Sequence, residues 1–314
     1  MIMDHVPVLL DETLAVLAPQ PGDLVIDATF GAGGHSRRIA DAIGETGTLI
    51  AIDRDPAAHE RFDAIASEFP CATRFVGASF AAGLRALHDE GVRAEGILFD
   101  LGVSSPQIDD PERGFSYSRD APLDMRMDPA QEVSAETLVN ELEQHELVGI
   151  IRRLGEERHA GRIAAAIVRI RAEHRITTTG ELAAVIADAV PAASRNSGGH
   201  PAKRSFQALR IAVNEELEEV DLAIPIAWEM LQIGGRLAVI SFHSLEDRRV
   251  KKFFAPRAKD CICPPELPVC RCGGHPEAAL LTSGASSASD EELDDNPRAR
   301  SAKLRGARKL TEPR

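Results

Sequence analysis

Short runs of consecutive apolar residues punctuate the first hundred positions. They are Leu24-Val25-Ile26, Leu49-Ile50-Ala51-Ile52, a weaker Arg74-Phe75-Val76 and Gly96-Ile97-Leu98-Phe99. Runs without polar alternation suit strands covered on both faces. Between them, segments such as Arg37 to Ile43 and Ala57 to Phe69 carry apolar residues at helical spacing. Strand and helix alternating at this rhythm predict crossovers and a parallel, doubly wound α/β sheet.

From about Ser105 to Pro201 the strand signal is lost. Leu147, Ile150, Ile151 and Leu154 recur at helical spacing, as do Ile163, Ile167 and Ile170. Thr178 with Glu181 reads as a capping box ahead of Leu182, Val185, Ile186 and Ala189, and Pro191 closes that helix. The alternating pattern then returns. Phe206, Leu209, Val213, Leu217 and Val220 predict one long helix, "RLAVISF" (236–242) a buried strand, and Ser244 with Asp247 the cap of the next helix. The region from Pro256 to Pro297 reads as loop-rich, with a mobile stretch at 282–296 rich in Ser, Asp and Glu, and "SAKLRGARKL" (301–310) as a last edge strand. The expected organisation is a first core part over 1–104, an all-helical insertion over 105–203 serving as the substrate-binding domain, and a second core part over 204–314. That last part carries a Cys-rich loop and a basic tail.

Composition changes this picture little. At 314 residues and 44% hydrophobic content, the chain has material for a large core. No apolar run reaches membrane-spanning length, and Met1 to Asp11 lacks a signal-peptide pattern, so a cytoplasmic protein with no membrane partner is expected. The formal charge of −13 argues weakly against nucleic acid. Yet Asp290 to Asp295 is almost wholly acidic, whereas Arg298 to Arg314 is strongly basic, and a local basic patch is what meets a phosphate backbone.

The candidate chemistry begins with "LVIDATFGAGGHSRR" (24–38), where an apolar run ends in an acid and meets a glycine cluster. Glycines serve where the chain turns with positive φ or where a ligand touches main chain. A dinucleotide fingerprint would need a third glycine where Ser36 stands, and a P-loop a lysine that is absent. A nicotinamide-dependent oxidoreductase is thereby disfavoured. Asp27 before Gly31 and Gly33 suits a ligand with a carboxylate, an ammonium and a ribose. Asp53, ending the second strand, can accept both ribose hydroxyl protons. Phe80 offers either a flat face for a purine or an ordinary core residue. S-adenosylmethionine is the best match to this cleft.

The loop after the fourth strand, "DLGVSSPQIDDPERGFSYSRDAPLDMRMD" (100–128), would face the sulfonium methyl. An exocyclic amine is a poor nucleophile, because its lone pair is delocalised into the ring. Acceptors such as Asp100 and Gln107 could hold its N–H groups, and positioning of this kind lowers a barrier by roughly 7–11 kcal/mol.

Taken together, "HVPVLLDE" (5–12), "DATFGAGGHS" (27–36), "AIDRDP" (51–56), the 100–128 loop, "GEERHAGRIAAAI" (155–167), "HPAKRSFQALRIAVNEEL" (200–217), "GGRLAVISFHSLEDRRVKKFF" (234–254) and "NPRARSAKLR" (296–305) resemble the bacterial 16S ribosomal RNA cytosine-N4 methyltransferases nearly end to end. The resemblance implies a class I methyltransferase, Rossmann-like core with an inserted all-helical domain. It implies methyl transfer from S-adenosylmethionine to N4 of a cytidine in the decoding region of 16S ribosomal RNA, within the small subunit. Cofactor contacts would fall on Gly33, Gly34, His35, Asp53, Phe80, Asp100 and Gln107. For Asp100 and Gln107 the cofactor role takes precedence over the substrate role, since a strand-tip residue reaches the cofactor first. A ribosome-assembly factor without activity is the alternative, and intact Asp53 and Asp100 speak against it.

Other candidates carry plainer readings. His243 would contact the base or accept a proton, or would bond a nearby loop. Arg113, Arg119, Arg126, Lys203, Arg204 and Arg210 would grip phosphates, or be ordinary solvated charges. Cys261, Cys263, Cys270 and Cys272 form C-x-C-x₆-C-x-C, tighter than usual zinc spacing, and no metal site is assigned. Cys71 reads as a buried apolar residue.

Overall fold

The computed structural model describes residues 7–195, 199–261, 263, 267, 269, 271 and 274–312. Two compact units divide the chain: Met1–Gly102 together with Leu217–Arg314, and Val103–Glu216 between them.

The first unit runs α1 (Leu10–Leu17), β1 (Leu24–Asp27), α2 (Gly34–Ile43), β2 (Thr48–Asp53), α3 (Pro56–Ile65), β3 (Ala72–Gly77), α4 (Phe80–Asp89) and β4 (Ala94–Asp100). The second holds α5 (Ser105–Asp109), α6 (Ala135–Glu141), α7 (Gln144–Leu154), α8 (Ala160–Arg171), α9 (Thr179–Ala189), α10 (Ala192–Arg195) and α11 (Lys203–Asn214). The chain then returns to the first unit through α12 (Glu216–Met230), β5 (Leu231–Ser241), α13 (Ser244–Arg257), β6 (Ala278–Leu280), α14 (Asp290–Asp295) and β7 (Lys303–Lys309).

Among the described residues, seven strands form one sheet in the order β3-β2-β1-β4-β5-β7-β6. The first five are parallel, and β7 lies antiparallel to both its neighbours. This is the doubly wound class I methyltransferase core, and its strand order reverses between β1 and β4, where an open α/β sheet leaves a crevice at the strands' carboxyl ends. The apolar strand runs are explained by cover on both faces. Ile26, Ile50, Ile52, Ile97, Phe99, Leu237 and Val239 point to a core shared with α4, α12 and α13. Their neighbours Val25, Leu49, Ala51, Leu98, Ala238 and Ile240 point to a second core shared with α1, α2 and α3.

The helical unit has its own core, built on Leu147, Ile151, Ile163, Ile167, Leu182 and Ile186 with Phe206, Leu209 and Val213. Helix α11 therefore packs inside this unit rather than opening the second core part at residue 204. The single long helix expected through Phe206 and Val220 is two helices, because Glu215 takes a left-handed conformation (φ 52°) between α11 and α12.

The C-terminal region departs most from expectation. Strand β7 is not an edge: it sits between β5 and β6. The acid-rich stretch folds, with Ser289 capping α14 through the Glu292 N–H, and the Glu292 carboxylate accepting the Leu9 N–H at 2.7 Å. Nor is the basic segment a free tail. Arg305 pairs with Asp247 at 2.7 Å, and Lys309 is fully buried, donating to the Leu231 carbonyl at 2.8 Å.

Candidate functional site

The turn from β1 into α2 is held by its own chemistry before any ligand is considered. Gly31 and Gly33 have positive φ (55° and 79°), conformations costly to residues with a Cβ. A Cβ on Gly33 would also stand 2.7 Å from the Phe30 ring. At Gly34 a Cβ would meet Pro7 Cγ at 2.3 Å, so this glycine admits the close approach of the segment before α1. Among the described residues, no side chain caps the first turn of α2. Its leading N–H groups thus face the crevice with the positive end of the helix dipole.

Asp27 is buried under this turn, accepting the Ser36 hydroxyl at 2.7 Å and the Thr29 N–H at 3.1 Å. Burial pushes its carboxyl up to about 6, against those two bonds. Asp53, at the tip of β2, accepts Gly31 N–H at 2.8 Å on one oxygen and Asp55 N–H at 2.9 Å on the other. Burial raises its pKa, and the two amides oppose the rise. One carboxylate thus ties the glycine turn to the neighbouring strand. A carboxylate offers about four acceptor positions, so both oxygens keep room for hydroxyl donors.

Asp100 ends β4, and its N–H donates to the Thr29 hydroxyl at 2.6 Å. Among the described residues, its Oδ1 is buried without a hydrogen-bond partner, and Oδ2 lies 3.6 Å from His35 Nδ1. Burial, then the carboxylates of Asp27 and Glu246, pushes Asp100 up to about 8. The side chain keeps 28% of its surface open, so part of this rise is relieved by solvent. His35 Nε2 donates to the Val8 carbonyl at 3.1 Å, and burial pulls the imidazole down to about 4. At neutral pH the ring is uncharged, with its Nδ1 lone pair towards Asp100. Phe80 opens α4 half-buried, edge-on to Phe99 at 5.7 Å.

The first unit therefore brings Gly33, Gly34, His35, Asp53, Phe80 and Asp100 to the carboxyl ends of β1, β2 and β4 and the start of α4. Gln107 belongs to the helical unit, where it is buried and its side-chain oxygen accepts the Ser104 N–H at 3.0 Å, capping α5. Sequence reasoning missed Thr29, whose hydroxyl joins β4 to β1, and Glu246. Glu246 is the buried acid that accepts the Phe242 N–H at 2.7 Å.

His243 caps α13 in a box with Glu246, one residue ahead of the expected Ser244, and its Nε2 lies 3.1 Å from a Glu246 oxygen. Three of the arginines also serve the fold. Arg113 donates to the Arg126 and Met127 carbonyls, Arg126 forks onto Asp124, and Arg210 onto Glu216. Arg119, Lys203 and Arg204 stay exposed. Cys71 and Cys263 are free thiols, Cys71 being only half-buried, and Cys261 is exposed. Cys270 and Cys272 lie outside the described residues. Among the described residues, no helix is long and apolar enough to cross a membrane.

Comparison with known proteins places this geometry among relatives. A family model described as the MraW methylase family matches residues 2–310. "Ribosomal RNA small subunit methyltransferase H" from Heliobacterium modesticaldum is 49% identical over 312 residues, covering 99% of this chain and 100% of the relative. Proteins of the same name from Symbiobacterium thermophilum and Trichlorobacter lovleyi are each 48% identical, and each alignment covers at least 98% of both chains.

Proposed function

This chain belongs to the MraW methylase family, and we propose that it transfers the methyl group of S-adenosylmethionine to N4 of a cytidine in the decoding region of 16S ribosomal RNA. It acts in the cytoplasm, on RNA within the small ribosomal subunit.

The observation that carries the cofactor reading is the orphaned Asp100 Oδ1 beside the glycine turn. A buried acceptor without a donor costs free energy, and its natural remedy is a cation. The ammonium of the cofactor's methionine moiety is such a group. Its carboxylate suits the uncapped first turn of α2, and its ribose the free acceptor positions of Asp53. When bound, S-adenosylmethionine supplies an electrophilic methyl carbon on sulfur.

The protein's own part is positional. Bare main chain at Gly31 and Gly33 allows close contact, Asp53 fixes the sugar, and Asp100 fixes the amino-acid end. The cytosine amine needs no prior deprotonation, since its proton can leave after transfer. In-line holding of the two reactants is worth roughly 7–11 kcal/mol. The target base must first be turned out of its stack, and single-stranded or unpaired RNA lowers that cost.

Small subunits lacking the mark, incubated with methyl-labelled cofactor and digested to nucleosides, are expected to yield labelled N4-methylcytidine. Label on another nucleoside, or none, overturns the assignment. Asp53→Ala removes the tie to Gly31 in the turn, the tie to Asp55 and the ribose acceptor together, so cofactor affinity is expected to fall by on the order of 100-fold. Calorimetric titration checks this, and an unchanged dissociation constant would place the sugar elsewhere.

A further inference from the structure

Away from the strand tips, the first unit holds a second cavity, of about 710 Å³, between α13 and the segment following β6. Its floor is apolar, from Phe254 and Leu281, and its rim bears Lys251 and Arg305. Ser283 and Gly284 complete the rim, and their main-chain N–H groups carry no hydrogen bond among the described residues. The turn is held by the Thr282 hydroxyl, which donates to the Gly284 carbonyl at 2.8 Å. Nothing in the cofactor site uses these groups.

An exposed lysine, an arginine already forked onto Asp247, and two free amides around one hollow leave net positive chemistry that suits a phosphate. The apolar floor adds a seat for a sugar or base face. The local charge opposes that of the whole chain, which carries −13. Lys251 is exposed, while Lys303 beside Arg305 shares the single carboxylate of Asp247. A cationic face on an acidic protein fits a polyanion, whose phosphates release counterions on contact.

We propose that this cavity is a docking subsite for a phosphodiester of the substrate RNA, at a nucleotide other than the one methylated. The inference rests on the RNA-methylating role proposed above. It also relocates the basic footprint expected of the C-terminal segment, since of that segment only Arg305 and Gly306 line the cavity.

The test uses the full-length protein with Lys251→Glu and Ser283→Glu, and with Lys252→Glu as a control on the same helix outside the cavity. For each of the first two, KM for small subunits is expected to rise about tenfold, with kcat and cofactor affinity unchanged. The slope of log K against log salt for protein-free small-subunit RNA should fall by about one unit. Unchanged KM and slope would overturn the proposal, as would an equal effect of Lys252→Glu. Inorganic phosphate or uridine monophosphate that occupies the cavity and is not displaced by RNA would reassign it to a small phosphorylated ligand. The salt slope reads RNA binding and not turnover, so it reports on this subsite even if the wild-type protein labelled no cytidine.

Discussion

Replacing Asp100 by Asn is expected to stabilise the ligand-free protein at pH 8 while weakening cofactor binding. The sign follows from the raised carboxyl. In the folded state Asp100 titrates at about 8 against an ordinary 3.8, so the native protein holds this proton more tightly than the unfolded chain. This group therefore favours folding least at high pH, and stability falls as pH rises from near 4 through 8. Asn keeps the shape and cannot ionise. Discounted for the open part of the side chain, the gain is roughly 1–3 kcal/mol at pH 8, fading to nothing near pH 4. Denaturant unfolding at the two pH values checks it, and a difference independent of pH would remove the ionic explanation. Cofactor binding supplies a second readout. Pairing with an ammonium needs the carboxylate, so the wild type should release a fraction of a proton on binding at pH 7, measured by calorimetry in two buffers of different ionisation heat. The Asn variant should release none and bind on the order of 100-fold more weakly. Stability surrendered at a site for the sake of a ligand is a common arrangement.

The other large effect concerns residues 298–314. Read as a basic tail, their removal would weaken RNA binding alone. In the structure β7 pairs with β5 from Arg236↔Arg308 to Ser241↔Lys303 and with β6 beyond. Leu304, Ala307 and Lys309 are fully buried. Deletion would leave β5 with an open edge, expose both cores and orphan Asp247. The expected loss exceeds the ~5–15 kcal/mol by which a typical protein is stable. The truncated protein is expected to lose cooperative unfolding and near-UV circular dichroism, whereas a version ending at Leu310 keeps both. A truncated protein that melts like the full-length one, with only its RNA affinity reduced, would refute this account of β7.

What could be read from the residues alone follows the physics of each element. The parallel strands were legible because burial on both faces demands unbroken apolar runs. The crevice was legible because Asp27, Asp53 and Asp100 each end such a run. The break between α11 and α12 was not, since Glu215 is left-handed without glycine or asparagine to announce it. His243 displaced Ser244 as cap because imidazole seldom plays that part. The acid-rich stretch looked mobile by composition, yet its order comes from Glu292 reaching Leu9, a contact spanning nearly the whole chain. Gly34 shows the same limit. Its sequence setting suggests a ligand, while the nearest obstacle to a side chain is Pro7.

Strands β4 and β5 lie side by side, yet all of Val103–Glu216 separates them along the chain. During synthesis the helical unit emerges complete, rich in near-neighbour contacts, before β5, the second neighbour of β4, exists. Such contacts form quickly, whereas distant strand pairing is slow. The nascent chain must therefore carry a half-built sheet with one apolar flank uncovered until its final strands arrive. That interval, not the finished protein, is where aggregation threatens and where a chaperone would find its grip.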